Sequence, residues 1–206
     1  MLLNYELDEN AYKVRLLGAF LGLDIVLQGI DMFPGGEHLS PQFRALSPAG
    51  ALPVLRDGDF TISGAEACLA YLANGYHPGR DWLPLEPRAF GEVQHWLSFA
   101  ALRLEPAVLA RRNALFDTPA DSHGMRHAAA SAFTLMEDHM IRRGLDGKDW
   151  FAGERATIAD IALFPSFALS RDFGIDHDEY PALRKWARRF RMLQGFRTMP
   201  GIPDYN

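Results

Sequence analysis

The chain is poor in cysteine, holding only Cys68 among its 206 residues. A lone cysteine excludes an internal disulfide, and a reducing cytoplasm is the expected setting. Long hydrophobic runs are missing too. No apolar stretch approaches the roughly 20 residues that span a bilayer. The N-terminus has no basic region leading into an apolar one, so no secretory signal is expected. Charge of one sign is not in excess: 21 Lys and Arg stand against 26 Asp and Glu, a net of −5. A nucleic-acid partner would want a basic face, and this balance argues against one. Internal repeats and low-complexity tracts are absent. So are a Walker loop and a Gly-x-Gly-x-x-Gly turn. His123 and His127 have i, i+4 spacing, but without a third ligand they read as a solvated helix face, and no metal is expected.

Apolar residues, by contrast, make up 48% of the chain, enough for a sizeable core. Their spacing changes along the sequence. Met1 to Tyr5 reads as a short strand. A helix follows, with Asn10 as its candidate cap and Tyr12, Val14, Leu16, Leu17, Phe20 and Leu21 at helical spacing, ending at Gly22. Ile25-Val-Leu reads as a second strand. Phe33-Pro-Gly-Gly is loop, and Ser40-Pro41 opens a short helix. Pro53-Val-Leu and Phe60-Thr-Ile are strands joined through Arg56-Asp57-Gly58-Asp59, a hairpin signal. Glu66 to Leu72 is helical and stops near Asn74-Gly75. Residues 77–87 are rich in proline and glycine and read as a linker between residues 1–76 and 88–206. Beyond the linker only helical periodicity is found: Arg88 to Leu115, with a kink expected at Pro106, then Ser122 to Arg143, Thr157 to Ser170 and Pro181 to Met192.

Two stretches are more specific. The first is Ser47-Pro-Ala-Gly-Ala-Leu-Pro-Val-Leu-Arg-Asp-Gly-Asp-Phe-Thr-Ile-Ser-Gly-Ala-Glu-Ala-Cys-Leu-Ala-Tyr-Leu72: loop, strand opening at a proline, hairpin, strand, helix. The second is Phe151-Ala-Gly-Glu-Arg-Ala-Thr-Ile-Ala-Asp-Ile-Ala-Leu-Phe-Pro165. There Thr157 and Asp160 have the spacing of a capping box, in front of an apolar run that implies a buried helix.

Together, in this order and at this spacing, the two stretches resemble the glutathione transferase superfamily over nearly the whole chain. The resemblance implies an α/β plus all-α architecture, a thioredoxin-like domain followed by a helical-bundle domain. It also implies a cis bond between Leu52 and Pro53, with the Leu52 backbone offered to the cysteinyl part of a thiol ligand. The positions at which the family usually carries Glu or Gln and then Ser fall on Gly64 and Ala65, which cannot hydrogen-bond through a side chain. Glu66 follows, either opposing an anion or simply favouring the first helical turn. Ala51 stands where many relatives have a polar residue. His38 matches a polar ligand contact in some classes, or is an exposed loop histidine.

The activating positions fall on Asp8, Glu9, Asn10 and Ala11, where two carboxylates would oppose a thiolate. Asn10 could donate a hydrogen bond or cap the helix. Tyr5 stands where tyrosine-type members carry a catalytic hydroxyl, or is a packed aromatic. Cys68, at an apolar helix position, reads as a buried thiol. Arg103, Arg111 and Arg112 either face the cleft or are surface charge. Phe116, with Phe99, Phe167 and Phe173, either lines an apolar pocket or is core. The implied activity is transfer of a thiol to a small electrophile by a homodimer. No cofactor is tightly bound, and glutathione or another cysteine-derived thiol is the co-substrate. The rival reading is a non-catalytic binding or regulatory module on the same fold.

Overall fold

The computed structural model describes residues 1–77, 79, 81–118 and 121–205. Pro78 and Arg80, which fall in the expected linker, lie outside the described residues.

The N-terminal part is built on a four-stranded mixed sheet of order β2-β1-β3-β4. The strands are β1 (Leu2–Asn4), β2 (Leu27–Gly29), β3 (Val54–Asp57) and β4 (Phe60–Ser63). β1 runs parallel to β2, with Leu2 opposite Leu27, and antiparallel to β3, with Leu3 opposite Val54. The β3–β4 hairpin pairs Asp57 with Phe60 across a two-residue Gly58-Asp59 loop, and Gly58 takes φ +60°. Strand alternation sorts the side chains. Leu2 and Leu55 enter the main core, whereas Leu3 and Val54 face a smaller cluster with Ile30, Met32, Phe43 and Leu52.

Three helices belong to this part: α1 (Glu9–Phe20), α2 (Pro41–Arg44) and α3 (Ala65–Tyr76). The expectation of Asn10 as the cap of α1 is corrected. Asp8 is the cap, accepting from the Ala11 amide at 2.7 Å. A carboxyl group two residues earlier satisfies the Ala11 amide, and Asn10 lies inside the helix. α3 also runs past Asn74-Gly75 to Tyr76, since an isolated glycine inside a packed helix is tolerated at modest cost.

The rest is helical: α4 (Pro87–Arg103), α5 (Glu105–Phe116), α6 (Ser122–Leu145), α7 (Ile158–Ala168) and α8 (Pro181–Arg191). The single long helix expected over 88–115 is two helices, broken at Leu104. Pro106 has no N–H, and its ring would clash with the carbonyl four residues back, so the chain restarts with the proline in a first turn. α6 likewise passes the expected stop at Gly144, and Gly147, at φ +70°, follows its end.

α7 is buried on every face and packs against α1, α3, α4 and α8. Its capping box is present. Asp160 Oδ2 accepts from the Thr157 amide at 2.9 Å, while Oδ1 accepts from the Phe151 amide at 3.1 Å and Trp186 Nε1 at 2.9 Å. One carboxylate thus ties the start of α7 to the preceding loop and to α8. The main core is continuous from Leu2, Leu16 and Leu69 through to Phe164 and Trp186. The sheet-bearing part therefore sits on the helical part without a solvent layer between their cores.

Candidate active site

The site lies where the turn after β1, the loop after β2 and one face of α5 meet. A small cleft there is lined by Tyr5, Leu7, Asp8, Glu9, Phe33, Val108, Arg111, Arg112, Leu115 and Phe116, together with Met32. Val108, Arg111, Arg112, Leu115 and Phe116 fall at i, i+3, i+4, i+7 and i+8, one stripe of a helix. Phe33 stacks on Phe116 with ring centroids 4.3 Å apart, and both rings touch Tyr5, at 6.2 and 6.0 Å. This aromatic group leaves about 20 Å³ of room, space for about one water. Phe33 precedes Pro34 through a cis bond. Neither Phe33 nor that bond was anticipated. The only local signal was an aromatic beside Pro-Gly-Gly, which does not say what the ring meets.

Tyr5 has its ring in this group, and its hydroxyl makes no hydrogen bond among the described residues. Burial, then the charges of Asp31 and Glu6, raise its pKa. The phenol therefore keeps its proton at neutral pH and is available as a donor. Asn10, the other candidate, is the second residue of α1 and does not line the cleft.

The acidic turn before α1 has a different role from the one its sequence suggested. Asp8 and Glu9 are both buried. Asp8 caps α1 and stands 3.7 Å from Arg112. Glu9 accepts from Ser166 Oγ of α7 at 3.0 Å. Burial raises both carboxyl pKa values, against lowering contributions from Arg112 at Asp8 and from Arg111 and Lys13 at Glu9. Arg111 is buried and committed: Nε donates to Asp172 at 2.8 Å and Nη1 to the Leu7 carbonyl at 2.6 Å. These groups fasten the two parts of the chain together at the edge of the cleft. Arg112 is partly exposed, and among the described residues its one ion pair is the long contact to Asp8. Arg103 lies exposed at the end of α4, away from the cleft.

The expected thiol-binding strand is present in outline. The Leu52–Pro53 bond is cis. Ser47 braces the loop before it: its Oγ donates to the Ala51 carbonyl at 2.8 Å and accepts from the Ala51 amide at 3.3 Å. The Pro53 carbonyl accepts from the Gly64 amide at 3.2 Å. No backbone hydrogen bond engages Leu52 among the described residues. At the start of α3, Gly64 takes φ +95° and no side chain caps the helix, while Ala65 is buried. Glu66 pairs with the buried Lys13 at 3.1 Å, so its charge is already met. His38 is half-buried, with its ring 5.8 Å from Phe33 and its Nδ1 buried without a partner among the described residues. Burial, Arg112 and Arg44 lower its pKa, so it is neutral at pH 7.

The remaining candidates sort plainly. Phe167 is core, and Phe99 and Phe173 pack against the core from its edge. Cys68 is fully buried, and burial pushes its thiol up to about 12, which leaves no reactive thiolate. His123 and His127 are exposed, and no cluster of three metal-ligating side chains occurs among the described residues.

A sheet of this order, a cis-proline turn beside a helix start, and an α-helical bundle after it define a thioredoxin-like domain followed by a helical domain. Comparison with known proteins agrees. Residues 10–74 match the family model "Glutathione S-transferase, N-terminal domain", and residues 134–193 match "Glutathione S-transferase, C-terminal domain". The chain belongs to the glutathione S-transferase superfamily. It is 29% identical over 201 residues to glutathione S-transferase 1 of Dianthus caryophyllus, covering 95% of this chain and 89% of that one. It is 26% identical over 198 residues to glutathione S-transferase theta-2 of Rattus norvegicus, covering 92% and 79%. Among solved structures, a glutathione S-transferase from Pseudomonas fluorescens superposes with a TM-score of 0.86 at 27% identity, covering 97% and 98% of the two chains.

Proposed function

We propose that the protein adds a small thiol to a small electrophile in the cleft between its sheet-bearing and helical parts, with weak use of glutathione itself. The observation that carries this reading is the free Tyr5 hydroxyl at the cleft, on a residue packed against the same small cluster as Leu52 of the cis-Leu52–Pro53 turn. A cysteinyl thiol paired with the Leu52 backbone would receive a hydrogen bond from Tyr5. A donor to the charged form lowers a thiol's pKa and raises the fraction present as thiolate, the nucleophile. The thiolate sulfur then forms the new bond to the electrophilic carbon, the leaving group departs with its electron pair, and the thiol proton passes to solvent. His38, Gly64, Ala65 and Glu66 surround the rest of the thiol donor in this reading. Arg103 lies too far out to take part, and Asn10 stays a helix residue.

Glutathione is held weakly because Gly64, Ala65 and Ala51 offer it no side-chain hydrogen bonds, and Glu66 is already paired with Lys13. Only the bare start of α3 remains to attract an anion. The closed Phe33–Phe116 stack selects a small electrophile. A homodimer in a reducing cytoplasm is part of the proposal. It is supported by the aromatic group of Phe60, Tyr71 and Tyr76 on β4 and α3, of which Phe60 and Tyr76 are exposed, and by the free Cys68. No helix is long and apolar enough to cross a membrane among the described residues.

The second reading, a binding module without turnover, is favoured by the packed aromatic stack. One experiment separates the two. Calorimetry with glutathione, cysteine and a neutral cysteine ester is run beside turnover of iodomethane, a small electrophile, with each thiol. Enzymatic turnover that falls at least tenfold in Tyr5→Phe, with thiol binding retained, supports the enzyme. Thiol binding without turnover in the parent protein would establish the module.

A further inference from the structure

The outer face of α8 carries a concentration of positive charge that plays no part in the reading above. Arg184, Lys185, Arg188, Arg189 and Arg191 all lie on this one helix, while its apolar residues Leu183, Trp186, Ala187 and Phe190 are buried. The helix therefore has no apolar face left over for a membrane. The segment that reaches Tyr205 lies along it: Arg191 Nη2 meets Asp204 at 2.5 Å, and the Tyr205 ring stacks on His177 with centroids 5.7 Å apart. Two hollows adjoin there, of about 240 and 220 Å³. Arg191, Met192 and Asp204 line the first, and Pro181, Arg184 and Lys185 the second; Arg188 and Tyr205 border both. Joined at those two residues, they form a groove within the ~300–1,000 Å³ that small-molecule sites occupy.

Part of this charge is already met. Arg184 pairs with Asp178, Arg189 with Asp149 and Arg191 with Asp204. Lys185 and Arg188 join no ion pair among the described residues. Two cations thus line the groove without a counter-charge. Two further donors are idle: Arg191 Nη1 and the Tyr205 hydroxyl are buried without a partner among the described residues. Tyr205 as a whole is only 7% exposed. Burial raises its pKa, against lowering contributions from Arg171, Arg191 and Arg184, so the phenol keeps its proton and is a donor. A buried donor without an acceptor is an expensive group to leave inside a protein, and this one borders both hollows.

We propose that this groove binds a small soluble phosphate monoester, its phosphate held by Lys185 and Arg188 and accepting from the Tyr205 hydroxyl and Arg191 Nη1. The two uncompensated cations match the two negative charges of the ester above its second pKa. Its three free oxygens accept from several converging donors at once, which a lone carboxylate does less well. The lining is chiefly polar, so the body of the ester is a polyol or sugar rather than a hydrocarbon. Two free cations are too few to track a nucleic-acid backbone. None of these side chains belongs to the Tyr5–Phe33–Phe116 cleft, so the groove fills independently of thiol transfer.

The probe is glycerol 3-phosphate at about pH 8, above the second phosphate pKa of about 6, titrated by calorimetry into the intact protein. Glycerol 3-sulfate, of the same shape with one charge fewer, and neutral glycerol are the controls. The parent is expected to bind the phosphate at least roughly tenfold more tightly than the sulfate, and glycerol not at all. Lys185→Gln and Arg188→Gln each weaken it by roughly tenfold, the loss of one charge-assisted hydrogen bond at the surface. Tyr205→Phe, which keeps the ring on His177, weakens it by roughly fivefold, the loss of one neutral donor. Asp204→Asn removes the carboxylate that competes for Arg191 and tightens binding. Arg112→Gln, at the other cleft, leaves it unchanged. Should Tyr205→Phe fail to fold by circular dichroism, the variants at the exposed Lys185, Arg188 and Asp204 decide the matter. Equal affinity for phosphate and sulfate, loss in Arg112→Gln but not in Arg188→Gln, weaker binding in Asp204→Asn, or no binding by the parent each overturns the assignment. So does binding of single-stranded RNA or phosphatidate vesicles in place of the soluble ester.

Discussion

Replacing Asp160 by alanine should destabilise the protein by about 3 kcal/mol, more than an ordinary helix-cap loss. The carboxylate is fully buried and accepts from three N–H donors, on Thr157, Phe151 and Trp186. Each donor left without a partner in the interior costs ~1–3 kcal/mol, so three give ~3–9. An opposite contribution is recovered. Burial already pushes the Asp160 carboxyl up to about 6 from 3.8, and removing that strained charge returns roughly 3 kcal/mol at ~1.4 per pH unit. The middle of the resulting range is about 3 kcal/mol. Thr157→Ala removes the Oγ1 acceptor of the Ala159 amide, at 3.2 Å, and the Oγ1 donor to Asp160 Oδ2, at 3.4 Å, and should cost about 0.5–2 kcal/mol. The assay is urea unfolding of the two variants beside the parent, with midpoints compared at unchanged slope. If Asp160→Ala loses no more than Thr157→Ala, the bonds to Phe151 and Trp186 contribute nothing, and Asp160 is only a cap partner.

The other expected outcomes concern the sites and pH. Ala65→Ser, which leaves the +95° backbone of Gly64 untouched, should tighten glutathione by roughly tenfold or more; unchanged affinity in calorimetry would show that the tripeptide does not lie along the start of α3. Phe33→Ala opens the cleft where it stacks on Phe116, and should lower KM for a bulky aryl electrophile more than for a small one; equal effects would mean that the stack does not gate the site. His177 is fully buried against Ser170 and its pKa is lowered to about 4 by burial first and Arg171 next. Its folded pKa is depressed below the unfolded value of 6.5, so the unfolded chain binds more protons between these values and stability rises with pH across that window. The difference between parent and His177→Gln should therefore grow by roughly 3 kcal/mol from pH 4 to pH 6.5, read as urea midpoints at several pH values; a difference independent of pH would refute the buried neutral histidine.

Much of the fold was legible from local rules. Short β-branched and apolar runs, the Asp57-Gly58 hairpin, Pro41 in a first turn and the Thr157–Asp160 capping box each follow from backbone sterics and hydrogen bonding within a few residues. That locality is why the element order and the family could be read from the chain itself. Boundaries shifted where two local signals competed. Asp8 took the cap from Asn10, and Pro106 broke a helix that periodicity alone continued.

The site was legible at its backbone and, as candidates, at Tyr5, Arg111 and Phe116, which line the cleft. The cis turn at Leu52-Pro53 and the missing side chains at Gly64 and Ala65 are properties of one short stretch. What the neighbouring groups do was decided by contacts across long sequence separations. Glu66 is spent on Lys13, Arg111 on Asp172 and Leu7, and Glu9 on Ser166. The carboxylates that read as hostile to a thiolate became fasteners between the two parts, because burial there demanded partners and α5 and α7 supplied them. The closing of the cleft is of the same kind. Phe33 and Phe116 are 83 residues apart in number and meet only when the loop after β2 is laid against α5. A side chain's type limits what it can do, but whether its charge, ring or hydrogen bond is still available depends on which distant residue the fold brings beside it.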